Sequence, residues 1–185
     1  MTPTENQYLD TFGQKVRNAV FDLLREYGKI DERMPDMPDI EEKWSQIATA
    51  YLPDGVREFN GYPLVSLGWV MYVGMAIAHL WDKDWERYAE REDLYPLLRD
   101  KRGYDCMDEY IRQEILHLDT AGYKAAEDLC GKCSQMVHDM IMHEHIEPST
   151  PIAFHAYVRA IHVLYSMGAA VELYRLGYKM TKLNN

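Results

Sequence analysis

The stretch from Tyr62 to Trp81 reads YPLVSLGWVMYVGMAIAHLW, twenty residues without a formal charge. A helix of that length is long enough to cross a bilayer. Its mean hydropathy is only moderate, however, because it contains Pro63, two glycines and His79. The charged residue Asp82 follows directly after it. A helix that is apolar all round must be covered on every side. The stretch therefore predicts a buried central helix at about residues 62–81, with other helices packed around it.

The composition predicts a folded protein with an acidic surface. The chain has 185 residues, of which 47% are hydrophobic and 27% charged, so it can bury a sizeable core. We expect a single helical domain over residues 1–185. The formal charge is −10 and the basic residues are scattered along the chain. Because phosphate groups are bound by clustered Lys and Arg, we expect neither nucleic acid nor an anionic membrane as a partner.

The N-terminal residues and the cysteines predict a cytoplasmic protein. The first seventeen residues, MTPTENQYLDTFGQKVR, are polar and lack the apolar run of a secretion signal. Three cysteines are an odd number, so they cannot all pair in disulfides. A reducing cytoplasm is the simpler setting for such a chain.

Apolar residues at helical spacing predict an all-α compact bundle of five to seven helices. We expect a short charged helix from Trp85 to Glu92, one further turn near residues 95–99, and breaks at Pro53-Asp54-Gly55 and Asn60-Gly61. No stretch alternates apolar and polar residues as a strand would. The longer helices are predicted over residues 5–28, 40–51, 62–81, 104–118, 120–146 and 151–179.

Some polar side chains are predicted to lie on the apolar faces of these helices. At 100° per residue, Glu114 falls within the stripe that contains Ile111 and Ile115, and His117 lies at its edge. Asp105, Asp108, Glu109 and Arg112 are predicted on the outer face. Four helices thus direct an acid or imidazole towards the interior, through the side chains of His79, Glu114 with His117, Glu144 and Glu172.

Two interpretations of these acids remain open. A carboxylate in an apolar interior shifts its pKa, pairs with a cation or binds a metal. Glu114 and His117 form one E-x-x-H motif and resemble half of the paired motif of ferritin-like di-iron proteins, which implies a transition metal such as iron, manganese or zinc. The predicted metal ligands are Glu114, His117, Glu144, Glu172 and His79. Alternatively, the acids pair with Arg159, Lys132 or Arg175 at the helix borders.

Cys130-Gly131-Lys132-Cys133 places two thiols one helical turn apart, a spacing that allows a disulfide or a shared metal. The motif resembles that of the alkylhydroperoxidase and carboxymuconolactone decarboxylase family, whose all-helical members carry C-x-x-C followed by a histidine. The resemblance implies Cys130, Cys133 and His138 as catalytic residues, although His138 comes one residue later than in the family. The alternative is that both cysteines are small apolar residues of the core.

Three functions follow from these observations. The first is a non-catalytic interaction or assembly protein that forms a homodimer, because fourteen tyrosines and four tryptophans suit a self-association face, although they equally suit an aromatic core. The second is a metal-dependent enzyme that uses the predicted ligands. The third is a thiol-redox protein. The chain contains no Walker-type sequence and no G-x-S-x-G, so common nucleotide and serine-hydrolase chemistry has no support.

Overall fold

The computed structural model of the protein describes residues 1–179, and this part is all-α, as predicted. Five helices of eighteen residues or more form the bundle, and three short ones complete it. The helices are α1 (Pro3–Glu26), α2 (Pro38–Glu42), α3 (Trp44–Gly61), α4 (Pro63–Tyr88), α5 (Leu94–Arg99), α6 (Met107–Tyr110), α7 (Thr120–His143) and α8 (Pro151–Arg175).

Helix α4 is the predicted central helix, and α8 packs against it along most of its length. Their backbones touch where they cross. A β-carbon built on Gly74 would lie within 3.0 Å of the carbonyl oxygen of Tyr165, and one built on Gly168 would lie within 3.0 Å of the carbonyl oxygen of Met71. Only glycine lets two helices approach so closely. These two glycines therefore set the distance between the central helices.

The other long helices cover this pair. Helix α1 lies along α8, α3 lies against the start of α4, and α7 lies against the other side of α4. By length and composition α4 is apolar enough to span a membrane, but 72% of its most apolar eighteen-residue window is buried inside the protein. The neighbouring helices thus bury the segment on which the fold was predicted to centre.

Helix α3 is longer than predicted, because it continues through Pro53. Pro53 has no N–H to donate to the carbonyl of Thr49, but Thr49 is exposed, so water can bind that carbonyl. The helix continues through Gly55, which has no side chain. A β-carbon there would lie within 3.0 Å of the side chains of Tyr51 and Tyr157. The predicted break at Pro53-Asp54-Gly55 is therefore wrong.

The ends of α4 and α8 also differ from the prediction. The predicted charged helix after Trp85 continues α4, with a local break at Asp84, whose backbone is extended. Helix α8 ends at Arg175 rather than near residue 179, because Gly177 adopts a positive φ of 100° and the amide of Tyr178 donates to the carbonyl of Leu173. This is the hydrogen bond of a Schellman helix end.

The segment 104–118 is not the single α-helix that was predicted. A 3₁₀ turn over Tyr104–Cys106 leads into α6, and a π-helical turn over Ile111–Ile115 follows. In the π turn the amide of Leu116 donates to the carbonyl of Ile111, five residues earlier. Each residue of a wider turn advances by less than 100°, so the predicted faces shift. The polar residues of this segment therefore point elsewhere than expected.

Candidate functional site

Two of the predicted site residues meet between the central helices. His79 of α4 and Glu172 of α8 are joined by a hydrogen bond of 2.9 Å between Nδ1 and Oε1. The side chain of Glu172 is completely buried. Arg175 binds both of its oxygens, with Nε 2.7 Å from Oε2 and Nη2 2.6 Å from Oε1. The pairing of Glu172 with Arg175, one of the two interpretations of the sequence, is therefore the one observed.

A cavity of about 220 Å³ opens beside this pair, and we call it the α7 cavity. Its apolar walls come from α4, α7 and α8, and the side of α7 that faces it carries glycine and alanine. Because these residues have almost no side chain, the space between the helices stays unfilled. The residues that line the cavity are Gly28, Lys29, Met75, Leu118, Gly122, Ala125, Ala126, Leu129, Val171, Tyr174 and Arg175.

Two cations lie on the wall of the α7 cavity, Lys29 and Arg175. Helix α1 ends in a Schellman turn, in which Gly28 has a φ of 65° and the amide of Lys29 donates to the carbonyl of Leu24 at 2.9 Å. This turn places Lys29 at the cavity. No carboxylate within residues 1–179 forms an ion pair with the Lys29 ammonium group.

The remaining predicted metal ligands lie elsewhere. Glu144 accepts a hydrogen bond of 2.5 Å from the Tyr8 hydroxyl and lies 3.7 Å from the Lys15 ammonium group. The expectation that Glu114 faces the core is wrong, since its side chain is 56% exposed and pairs with Arg102. His117 is exposed as well, with a φ of 50° just beyond the π turn. The shift of register by that turn moves both residues of the E-x-x-H motif to the surface.

The five predicted ligands thus occupy three separate places. Among residues 1–179 no group of three or more His, Cys, Asp or Glu side chains is close enough to hold a metal ion. His79 and Glu172 form a pair, and their third partner is an arginine, which carries a positive charge and does not bind metals. The sequence pattern predicted inward-facing groups on separate helices, but whether such groups meet depends on where the helices end and cross.

Cys130 and Cys133 are free thiols in the core between α7 and α4. Burial raises the pKa of the Cys133 thiol to about 12 and raises that of Cys130 further. A reactive thiol needs the opposite shift, since the thiolate is the nucleophile. His138 packs its ring against Phe59, with 6.2 Å between ring centroids. This environment favours the interpretation of Cys130 and Cys133 as core residues.

Alkylation with iodoacetamide tests this interpretation. In the native protein at neutral pH we expect Cys106 to react, because it is partly exposed, and Cys130 and Cys133 to remain unmodified. All three cysteines should react after unfolding in urea. Mass spectrometry of the modified peptides counts the labels, and Cys106 serves as the internal control. Fast labelling of Cys130 or Cys133 in the native protein would show that the pair is accessible and would revive the redox hypothesis.

The structure buries an ion pair that was predicted on the outer face. The Arg112 side chain is only 2% exposed, and its Nη2 lies 2.5 Å from Oδ2 of Asp108. The guanidinium carbon lies 3.8 Å from the ring centroid of Tyr123 and 5.0 Å from that of Tyr72. Burial raises the pKa of the Asp108 carboxyl, and the charge of Arg112 opposes this. An arginine and an aspartate four residues apart are common on exposed helix faces, so their burial could not be predicted from the spacing.

A second polar cluster is held by α2. On α8, His162 and Ser166 bind the two carboxylate oxygens of Glu41, at 2.8 Å and 2.5 Å. Burial would raise the pKa of Glu41, but these hydrogen bonds outweigh it and lower the pKa. The His162 ring also stacks on Trp44, with centroids 4.8 Å apart. The cluster fixes α2 and the start of α3 on α8.

A second depression, of about 520 Å³, lies between the end of α3 and the start of α8, and we call it the uncharged groove. Its floor contains the rings of Phe59 and Tyr157, whose centroids are 5.1 Å apart, and Val56 and Phe154 are exposed at its edge. None of its lining residues is Asp, Glu, Lys or Arg. They are Val56, Phe59, Asn60, Pro148, Ser149, Thr150, Pro151, Ala153, Phe154, His155 and Tyr157.

Comparison with known proteins identifies no relative of this chain. No family model matches it, and neither a curated protein nor a solved structure is significantly similar. The assignment of a function therefore depends on the sequence and on the geometry described above.

Proposed function

We propose that this protein is a non-catalytic assembly protein that forms a homodimer through the uncharged groove. The observation that carries the proposal is the composition of the groove. At the overall share of 27% charged residues, a surface depression with eleven lining residues would be expected to contain several, and this one contains none. Depletion of charge and enrichment of aromatic residues are typical of the centre of a protein–protein interface.

Exposed apolar side chains extend this surface. Phe154 is 42% exposed and Val56 37%, and both line the groove. Tyr62 and Leu64, which are 69% and 38% exposed, follow the groove residue Asn60 along the chain. Exposed large apolar residues in the groove and in the segment that follows it support a contact surface, because single exposed residues are common but groups of them are not.

The charge of the chain favours a second copy as the occupant. Two molecules with a formal charge of −10 repel each other wherever their acidic faces meet. A twofold dimer brings the same surface of both copies together, so its interface must be free of repulsion with itself. The uncharged groove meets this requirement, and Phe154 at its edge can insert into the groove of the partner.

Of the buried tyrosines, only Tyr157 lines the uncharged groove. Six of the fourteen, Tyr51, Tyr72, Tyr95, Tyr104, Tyr157 and Tyr165, lie in the core. Tyr51, for example, donates a hydrogen bond to the carbonyl of Ser66. Much of the aromatic content thus serves the core, so the total number of aromatic residues does not support the proposed dimer.

Sedimentation equilibrium of the wild type and of Phe154→Glu tests the proposal. We expect the wild type to be a dimer and the variant to dissociate at least about 30-fold more readily, because each interface then has to bury two unpaired carboxylates. Tyr27→Glu is the matched control, because Tyr27 is 45% exposed and does not line the groove. This control should remain dimeric.

Two results would contradict the proposed dimer. A wild-type protein that sediments as a monomer up to high micromolar concentration has no stable self-association. A dimer that Phe154→Glu leaves intact while Tyr27→Glu disrupts it would use another face. Circular dichroism of both variants confirms that they are folded, so dissociation reflects the interface alone.

A further inference from the structure

The α7 cavity is large enough for a small organic molecule. Protein interiors are packed at the density of organic crystals, and most of their voids are no larger than a water molecule. A cavity of roughly 150 Å³ with apolar walls can hold benzene. The α7 cavity has about 220 Å³ and opens to solvent on one side. Its volume suits a compact hydrocarbon group of somewhat more than six carbons.

The walls of this cavity would contact such a group through apolar side chains. Met75, Leu129 and Val171 are buried residues from three different helices, and all three line the space. Ala126 on α7 completes the wall opposite α8 and leaves the volume open. Apolar surface of this kind gains free energy when it is covered by a hydrocarbon instead of water.

The two cations on the wall of the α7 cavity would favour a ligand with a negative charge. Lys29 has no ion-pair partner within residues 1–179. Arg175 uses Nε and Nη2 to bind Glu172, which leaves its Nη1 without a carboxylate partner in the same part of the chain. The dipoles of α1 and α8 account for cations at these two helix ends. They do not account for the unfilled volume between the cations and the walls.

We propose that the α7 cavity binds a small carboxylate with an apolar body, such as a medium-chain fatty acid. The carboxylate would lie at Lys29 and Arg175, where charge-assisted hydrogen bonds form, and the hydrocarbon would lie among Met75, Leu129 and Val171. Binding at this site is independent of the proposed dimer, because none of these residues lines the uncharged groove.

Titration calorimetry with octanoate tests the site, and octylamine and octanol are the comparison ligands. The formal charge of −10 favours octylamine at any non-specific site, so a preference for the anion is diagnostic. We expect octanoate to bind with a stoichiometry of one and a dissociation constant of about 0.1–1 mM, a range reasonable for about ten non-hydrogen atoms. Octylamine and octanol should bind at least about tenfold more weakly.

Three variants locate the ligand within the protein. Lys29→Ala removes one cation and should weaken octanoate binding about tenfold. Ala125→Leu places a larger side chain at the cavity edge, where Ala125 is exposed, and should abolish binding without loss of helix propensity. Lys83→Ala, which changes an exposed lysine of α4 outside the cavity, should bind octanoate like the wild type.

Several outcomes would overturn the proposed site. They are equal affinity for octanoate and octylamine, no octanoate binding at all, and unchanged binding by Ala125→Leu. Phe154→Glu distinguishes the α7 cavity from the uncharged groove, because of these two sites it alters only the groove. Loss of octanoate binding in this variant, with binding retained in Ala125→Leu, would place the ligand in the groove and refute the assignment to the α7 cavity.

Discussion

Replacement of Arg112 by alanine is expected to lower the free energy of unfolding by about 3–5 kcal/mol, because it leaves the buried Asp108 carboxylate without its charged partner. It also removes the guanidinium group from between the rings of Tyr72 and Tyr123. Urea denaturation followed by circular dichroism measures the loss. Arg102→Ala is the control, since Arg102 pairs with the exposed Glu114 and should cost less than about 1 kcal/mol.

The cost of Arg112→Ala should depend on pH in a defined direction. Burial already raises the pKa of Asp108 in the folded wild type, and loss of the arginine raises it further above the value in the unfolded chain. The folded variant then binds a proton more tightly than the unfolded chain, so its stability increases as the pH falls from neutral towards the unfolded pKa of about 3.9. Arg112→Ala/Asp108→Asn, which cannot ionise there, serves as the reference.

Two results would contradict this view of the ion pair. A loss below about 1 kcal/mol for Arg112→Ala would show that the pair is exposed to solvent. A difference between the single and the double variant that stays constant with pH would show that Asp108 does not titrate in the buried site.

Substitution of Gly168 by alanine is expected to destabilise the protein by about 3 kcal/mol or more, because the new methyl group would collide with the backbone of α4 at Met71. Helix propensity alone predicts the opposite, a gain of about 1 kcal/mol for alanine over glycine inside a helix. A loss of stability therefore isolates the contact between the two backbones. Gly74→Ala should behave in the same way, since its methyl group would meet the carbonyl of Tyr165.

Gly131→Ala is the matched control for the helix crossing. Gly131 lies within α7, and a β-carbon there meets no atom within 4 Å. The variant should be more stable than the wild type by about 0.5–1 kcal/mol. Thermal and urea denaturation of the three variants compare the positions directly. If Gly168→Ala is as stable as Gly131→Ala, the central helices do not cross in backbone contact.

The sequence predicted the parts of the fold that depend on local pattern. The uncharged stretch 62–81 identified the central helix, and the helix predicted from residue 151 does begin at Pro151, where the Thr150 hydroxyl accepts a hydrogen bond from the amide of Ala153. Capping and apolar periodicity act within a few residues, so they can be read along the chain. The break predicted at Pro53 was wrong, since a helix tolerates a proline where the carbonyl that loses its hydrogen bond, here that of Thr49, can bind water.

The candidate site was predicted in part. His79 and Glu172 were each recognised as polar groups on apolar helix faces, and the structure brings them together. Glu114 and Arg112 were assigned to the wrong faces, because the prediction assumed a uniform rotation of 100° per residue and the π turn departs from it. The α7 cavity, with Lys29 on its wall, and the uncharged groove could not be predicted from the pattern, since both are formed by residues far apart in the chain.

By itself, the sequence determined that this chain forms helices, which helix is central and that Glu172 faces inward, because these properties follow from the order of residues within one or two regular helical turns. Tertiary structure alone decided that an arginine and not a further metal ligand joins His79 and Glu172, that Arg112 is buried, and that the α7 cavity and the uncharged groove remain open beside the core. The reason is that burial and contact depend on where separate helices cross, and that position is set by close packing, as at Gly74 and Gly168, over the whole bundle.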